Sequence, residues 1–186
     1  LVFADFGGRI APMLSAMNRG RNLTLILDHH VAEASTDPKV YNLDPDLFGL
    51  KGDRDISAST TCYLFAGALD PANRDMAHLA VIGAVGDGFY VDGRLVNQNR
   101  EAALEAVQQG RLKIEAHDRG ERYILRSETG DIFYDDLALY LELLGAGGYY
   151  RRGPDMGIRV CLEGRTPEAD KMARSEERRV GKECRS

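Results

Sequence analysis

The chain has no tryptophan, only three cysteines and four histidines in 186 residues, and no excess of basic charge. Each shortage excludes something. Cys62, Cys161 and Cys184 are odd in number and far apart, so they offer neither a disulfide framework nor a paired-cysteine metal knuckle. Cys62 lies in Thr-Cys-Tyr-Leu-Phe-Ala and Cys161 in Ile-Arg-Val-Cys-Leu, where cysteine acts as a small hydrophobe rather than a nucleophile. A formal net charge of −5 argues against a broad surface that coats nucleic acid, since such surfaces are basic. An enzyme that cuts nucleic acid is still allowed, because bound divalent cations and a few arginines supply local positive charge. No apolar run approaches the roughly 18 residues of a membrane helix, and no basic, apolar, small-residue leader is present. The expectation is a cytoplasmic protein with no membrane partner.

What is present reads as about one domain plus a small extra, with an ordinary 44% of hydrophobic residues. Residues 1–5 and 23–27 are short β-type runs, each ending in an aspartate, Asp5 and Asp28. Between them Arg9 to Arg19 reads as a helix with Ile10, Met13, Leu14 and Met17 on one face. Strand, helix, strand is a βαβ unit, whose strands run parallel with a right-handed crossover. Ligands in such sheets bind beyond the carboxyl ends of the strands, so Asp5 and Asp28 are expected at one rim. A punctuated loop over 33–55 carries one short strand near Val40. Helices are expected from the N-cap Ser57 to Leu69, from Asp70-Pro71 to Val85, and over 98–109.

Beyond residue 110 the pattern changes. Residues 111–134 alternate polar and apolar, predicting two or three antiparallel strands. Helices follow over 135–144, ending at Gly145, and over 154–162. The fold class is therefore α/β: a parallel sheet flanked by helices over 1–110, with a small mixed α+β extension over 111–173. Residues 174–186 have no apolar periodicity and read as a non-native tail. A basic tail for nucleic acid is the alternative.

Three acid-bearing points then converge: Asp5, Asp28-His29-His30, and Asp87 between two glycines after an apolar segment. Carboxylates and imidazoles together suit Mn²⁺, Zn²⁺ or a similar ion, and a pair of such ions can clamp a phosphoryl group. Each piece alone has a plainer reading. A strand-end aspartate caps a turn, Gly-Asp-Gly is a turn, and two histidines can be structural. His78 and His117 are read as structural.

Val2-Phe3-Ala4-Asp5-Phe6-Gly7, Leu25-Ile26-Leu27-Asp28-His29-His30 and Ala84-Val85-Gly86-Asp87 resemble the second, third and fourth motifs of the DHH phosphoesterase superfamily. The spacings of 23 and 59 residues between their aspartates agree with it. Asp55-Ile56-Ser57-Ala58-Ser59-Thr60 resembles the segment opening the helix before the fourth motif. The flavour is that of the RecJ-like single-strand exonucleases of archaeal type. The resemblance covers residues 1–110 well and 111–173 loosely.

It implies a two-ion Mn²⁺ enzyme (Mg²⁺ being the alternative) that hydrolyses phosphodiesters of single-stranded nucleic acid. Asp5 would bridge the metals, and His29 and Asp87 would ligate them. Asp28 would orient the histidines or touch a metal, and His30 would contact the scissile phosphate. Ser57 and Ser59 could reach the same mouth. The first motif has no counterpart, because the chain opens directly on Leu1-Val2-Phe3-Ala4, so weak Mn²⁺ binding and little hydrolysis are expected of this chain alone. The glycine-rich phosphate grip is not matched either. Arg151 and Arg152 beside Tyr149 and Tyr150 are its nearest candidates, with a solvated turn as the plain alternative. A small substrate (cyclic dinucleotide, short oligonucleotide or pyrophosphate) and a non-catalytic replication scaffold remain the other functions.

Overall fold

The computed structural model describes residues 1–128 and 130–144. The chain divides into two compact units, Leu1–Asp135 and Asp136–Ser186. The described part of the second is the end of one helix. The short helix expected over 154–162, Cys161, Arg151, Arg152 and the tail lie outside the described residues.

The first unit is mixed α/β. Strand β1 (Val2–Ala4) pairs parallel with β2 (Thr24–Leu27), placing Val2 opposite Leu25 and Ala4 opposite Leu27. β2 pairs parallel with β3 (Val40–Asn42), with Thr24 opposite Val40. The order is β1-β2-β3. β2, the central strand, is nearly buried along its length, which is why it reads as an unbroken apolar run rather than an alternating one.

Helix α1 (Ala11–Asn18) makes the crossover between β1 and β2. Of its expected apolar stripe only Leu14 packs against the core; Met13 is 53% and Met17 64% exposed, while Ala11, Ser15 and Asn18 are buried. The reason is polar. Ser15 Oγ donates to Ala11 O and accepts from Thr36 N–H, and Asn18 Nδ2 donates to Asp37 and to Asn22 O. These bonds fix the helix to the loop before β3. Ala11, the smallest side chain, packs against Ile26 and Val40.

Helices α2 (Ala58–Leu69), α3 (Ala77–Gly86) and α4 (Asn97–Gln108) follow, with a 3-10 turn over Pro71–Met76 where one continuous helix was expected. Ser57 caps α2 through Thr60 N–H, as expected. From α4, the buried Asn99 Oδ1 accepts from Ser57 N–H, Ser57 Oγ and Thr60 Oγ1, which pins the start of α2.

Strands β4 (Leu112–His117), β5 (Gly120–Ser127) and β6 (Gly130–Phe133) form an antiparallel sheet, followed by α5 (Tyr134–Leu144). The boundary expected near residue 110 falls inside the first unit. Arg100 on α4 pairs with Glu121 on β5, Tyr123 Oη accepts from Leu95 N–H at 2.8 Å, and Tyr134 Oη donates to His78 O. Polar bonds between an amphipathic helix and the sheet after it leave no sign in composition. Among the described residues no helix is long and apolar enough to cross a membrane.

Tyr123 and Leu95 are both about fully buried. Tyr123→Phe should therefore leave the Leu95 amide unpaired and cost about 1–3 kcal/mol in a urea melt. An unchanged midpoint would show that the bond from the Leu95 amide contributes nothing to stability.

Candidate metal centre

Asp5 and Asp28 leave the sheet at the same edge, because β1 and β2 are parallel and in register. Asp5 N–H still bonds Leu27 O at 3.0 Å, and the backbone then turns through φ +66° at Asp5. Aspartate is one of the few side chains that tolerate that left-handed region. Asp87 follows the last turn of α3, with its N–H on Gly83 O.

Asp28 is 2% exposed and spends its acceptors on the local chain. Oδ2 takes Gly8 N–H at 2.8 Å; Oδ1 takes His29 N–H at 2.8 Å and His30 Nδ1 at 2.7 Å. Both histidines of the turn thus donate to Asp28. Committed to those donors, it is not among the described residues that could together hold an ion. Burial pushes its carboxyl up, but the bonds from His30, Gly8 and His29 outweigh that and hold it below the usual range. The same bond raises the His30 imidazole against the effect of its burial, and the charges of Asp28, Asp5 and Asp87 add to it.

His29 is buried, and its Nδ1 lies 2.5 Å from Gly52 O. A carbonyl only accepts, so Nδ1 carries the hydrogen and Nε2 of the neutral ring is a bare lone pair. That nitrogen sits 3.3 Å from Asp5 Oδ1 and 3.2 Å from Asp87 Oδ2. Both carboxylates thus face that one nitrogen, and a protonated ring would offer one hydrogen to two carboxylates. Burial raises the Asp87 carboxyl; His29 and His30 oppose this and Asp5 reinforces it. Two ligands about 2.1 Å from one ion at right angles lie about 3 Å apart, close to each of the two contacts of His29 Nε2, and among the described residues Asp5, His29 and His30 lie close enough together that they could hold an ion. His30 joins Asp5 and His29 within 4.8 Å, yet its Nδ1 is engaged by Asp28 and its side chain is 59% exposed.

Ser57 and Ser59 border the same cavity as Asp5 and Asp87. Their hydroxyls are nonetheless occupied, Ser57 by Asn99 and Thr60, Ser59 by Ala80 O. They border the mouth with their hydroxyl hydrogens engaged inside the protein. The imidazoles of His78 and His117 bond to nearby backbone, at Asp75 O and Arg119 N–H.

No family model matches the chain. It is 32% identical over 109 residues to an uncharacterized protein of Methanocaldococcus jannaschii, a match covering 54% of this chain and 24% of the relative. The chain thus spans about a quarter of that protein.

Sequence reasoning missed two participants. Gly52 acts through its backbone carbonyl, which no residue type announces. Asp44 is fully buried, with Oδ1 accepting from Asp46 N–H and Oδ2 without a hydrogen-bond partner. Its only sequence signal, Asp before Pro45, marks a cap. Burial raises Asp44 to about 6; the Asp46 N–H opposes this, the charges of Asp28 and Asp46 add to it, and His29 counters. Gly8 separates the two acids: a Cβ there would lie 2.4 Å from Asp44 Oδ2 and 3.2 Å from Asp28 Oδ2.

The linkage has a definite sign. Folded Asp44 holds its proton more tightly than the unfolded chain does between pH 3.8 and about 6, so its contribution to stability falls as pH rises through that window. Asp44→Asn should abolish this component and stabilise the protein at pH 7.5 by about 1–3 kcal/mol. Denaturant melts of both proteins at pH 4.5 and 7.5 measure it, and a variant destabilised at pH 7.5 would show that the ionised carboxylate is needed.

Proposed function

We propose that this chain carries the metal centre of a DHH-type phosphoesterase that hydrolyses phosphodiesters, with single-stranded nucleic acid as the substrate class. The observation that carries the reading is Nε2 of His29 facing Asp5 and Asp87 at 3.3 and 3.2 Å while Nδ1 is tied to Gly52 O. Asp5, His29 and Asp87 would hold a Mn²⁺-like ion, with Mg²⁺ or Zn²⁺ compatible with the same donors. Bound there, a divalent ion lowers the pKa of a water and neutralises phosphoryl charge. A second ion needs ligands beyond these three.

The chain's own residues supply the rest. Asp28 clamps His30 Nδ1, which directs the ring's other nitrogen away from it and leaves that nitrogen free to donate to a phosphoryl oxygen. The raised His30 pKa keeps the ring in its donating form to higher pH. Such a donor acts as charge builds in the transition state. Phe89, 5% exposed with its ring centroid 5.3 Å from that of His29, walls the imidazole against solvent.

Calorimetric titration with Mn²⁺ tests the centre. Asp5→Asn keeps a side chain that tolerates the left-handed backbone, and both it and Asp87→Asn should weaken binding at least about 10–100-fold. In the complete protein, His30→Ala should keep the ion and lose about 10²–10³ in turnover. Mn²⁺ binding by Asp5→Asn as tight as that of the parent would remove the basis of the reading, and loss of metal by His30→Ala would make that histidine a ligand.

A further inference from the structure

Asp87 is held on one side by the last turn of α3 and on the other by the chain that follows it. Helix ends fray, and at this one Gly88 turns through φ +74° with open space where a Cβ would stand. What fixes the next residues comes from far along the sequence. Tyr90 Oη donates to Asp135 Oδ1 at 2.9 Å, and the Tyr90 ring lies 6.2 Å from that of Tyr123 on β5. Val91 and Arg94 bond each other through both N–H groups, closing a two-residue turn in which Asp92 and Gly93 both have positive φ. Asp-Gly is a pair that such a turn favours. Glu121 N–H of β5 then donates to Gly93 O at 2.8 Å, and Leu95 N–H donates to Tyr123 Oη at 2.8 Å.

The turn meets the β4–β5 hairpin backbone to backbone. A Cβ on Gly93 would lie 1.7 Å from Arg119 O, and one on Gly120 would lie 2.1 Å from Gly93 O. Only glycine on both sides permits that approach. Between the two anchors, α3 and this joint, sit two groups of the metal centre. Phe89 is buried with its ring beside that of His29, and Asp87 Oδ2 faces His29 Nε2.

We propose that the β4–β5 hairpin is a positioning element of the metal centre. Through its joint with Gly93, and with Tyr90 tied to Asp135, it holds Asp87 and Phe89 against His29. This rests on the reading of Asp5, His29 and Asp87 as a cation site. The hairpin adds no ligand; it acts through the segment that begins at Asp87, and Gly93 and Tyr90 are its positioning residues.

Gly93→Ala forces the turn and the hairpin apart. In the full chain, Mn²⁺ affinity is measured by calorimetry and folding by a urea melt. The His29 imidazole protons are followed by NMR without metal, where the ring current of Phe89 reports its position. Gly93→Ala should weaken Mn²⁺ binding about tenfold, as loss of a group that orients a metal ligand does, and should move the His29 signals. Tyr90→Phe keeps the ring, loses one hydrogen bond, and should shift the same signals with a loss of about threefold. Asp135→Asn keeps an acceptor for Tyr90 and should bind Mn²⁺ as the parent does. If Gly93→Ala does not fold, Tyr90→Phe and Asp135→Asn decide. A joint that serves the fold alone would lower the urea midpoint and leave Mn²⁺ affinity and the His29 signals of the folded variants unchanged. That result overturns the proposal while the cation site stands. A parent chain that binds no Mn²⁺ would remove the cation reading, and the His29 signals would then decide the positioning on their own.

Discussion

One hydrogen bond organises the rim: His29 Nδ1–H to Gly52 O at 2.5 Å. It fixes the tautomer, and the tautomer decides what Asp5 and Asp87 face. The bond needs a glycine, since a Cβ at residue 52 would lie 1.6 Å from His29 O. The loop before α2 therefore approaches the Asp28-His29-His30 turn more closely than any other residue would permit. His29 is thus set from behind by backbone, and its exposed partners, Asp5 and Asp87, converge on a ring that is already oriented. This is the usual logic of a ligating imidazole, whose second nitrogen is committed to an acceptor.

Behind the ring lie two buried acids with opposite tendencies. Asp28 collects three donors from Gly8, His29 and His30, which favour its charge. Asp44 has one donor for two oxygens and is driven toward its neutral form. Gly8 makes their proximity possible, because any side chain at that residue would collide with Asp44. Two carboxyls that near cannot both ionise cheaply in a buried setting. Giving nearly all the donors to Asp28 settles which one carries the charge, and that charge is the one that holds His30.

Much of this arrangement was legible in the sequence, for a physical reason. A parallel βαβ unit has few topologies, so two apolar runs ending in aspartate already place both acids at one edge. The cap at Ser57 and the alternation after residue 111 are local signals, and they survive folding. What could not be read was decided by contacts of backbone or of buried polar groups. The α1 stripe of Met13 and Met17 looked like a core face, but Ser15 and Asn18 had better partners inward. The apparent boundary at 110 was a change of secondary structure within one unit. The roles of Gly52 and Asn99 depend on where a carbonyl and an amide arrive in space.

The strongest physical case for a cation comes from how unfavourably the two exposed acids are placed without one. Asp5 occupies a left-handed backbone conformation, which costs an ordinary L-residue roughly 1–2 kcal/mol and aspartate somewhat less. Asp87 follows the carboxyl end of α3, where the helix dipole repels negative charge. Its partial burial and the charge of Asp5 both act against its ionised form. Nothing in packing repays these costs, since Asp5 and Asp87 are 71% and 52% exposed and neither fills a core. A divalent ion held against His29 Nε2 would act against each electrostatic penalty, offsetting the dipole and the repulsion between the two carboxylates. Strain and repulsion concentrated on three converging ligands are what a protein retains when a bound group supplies the compensation.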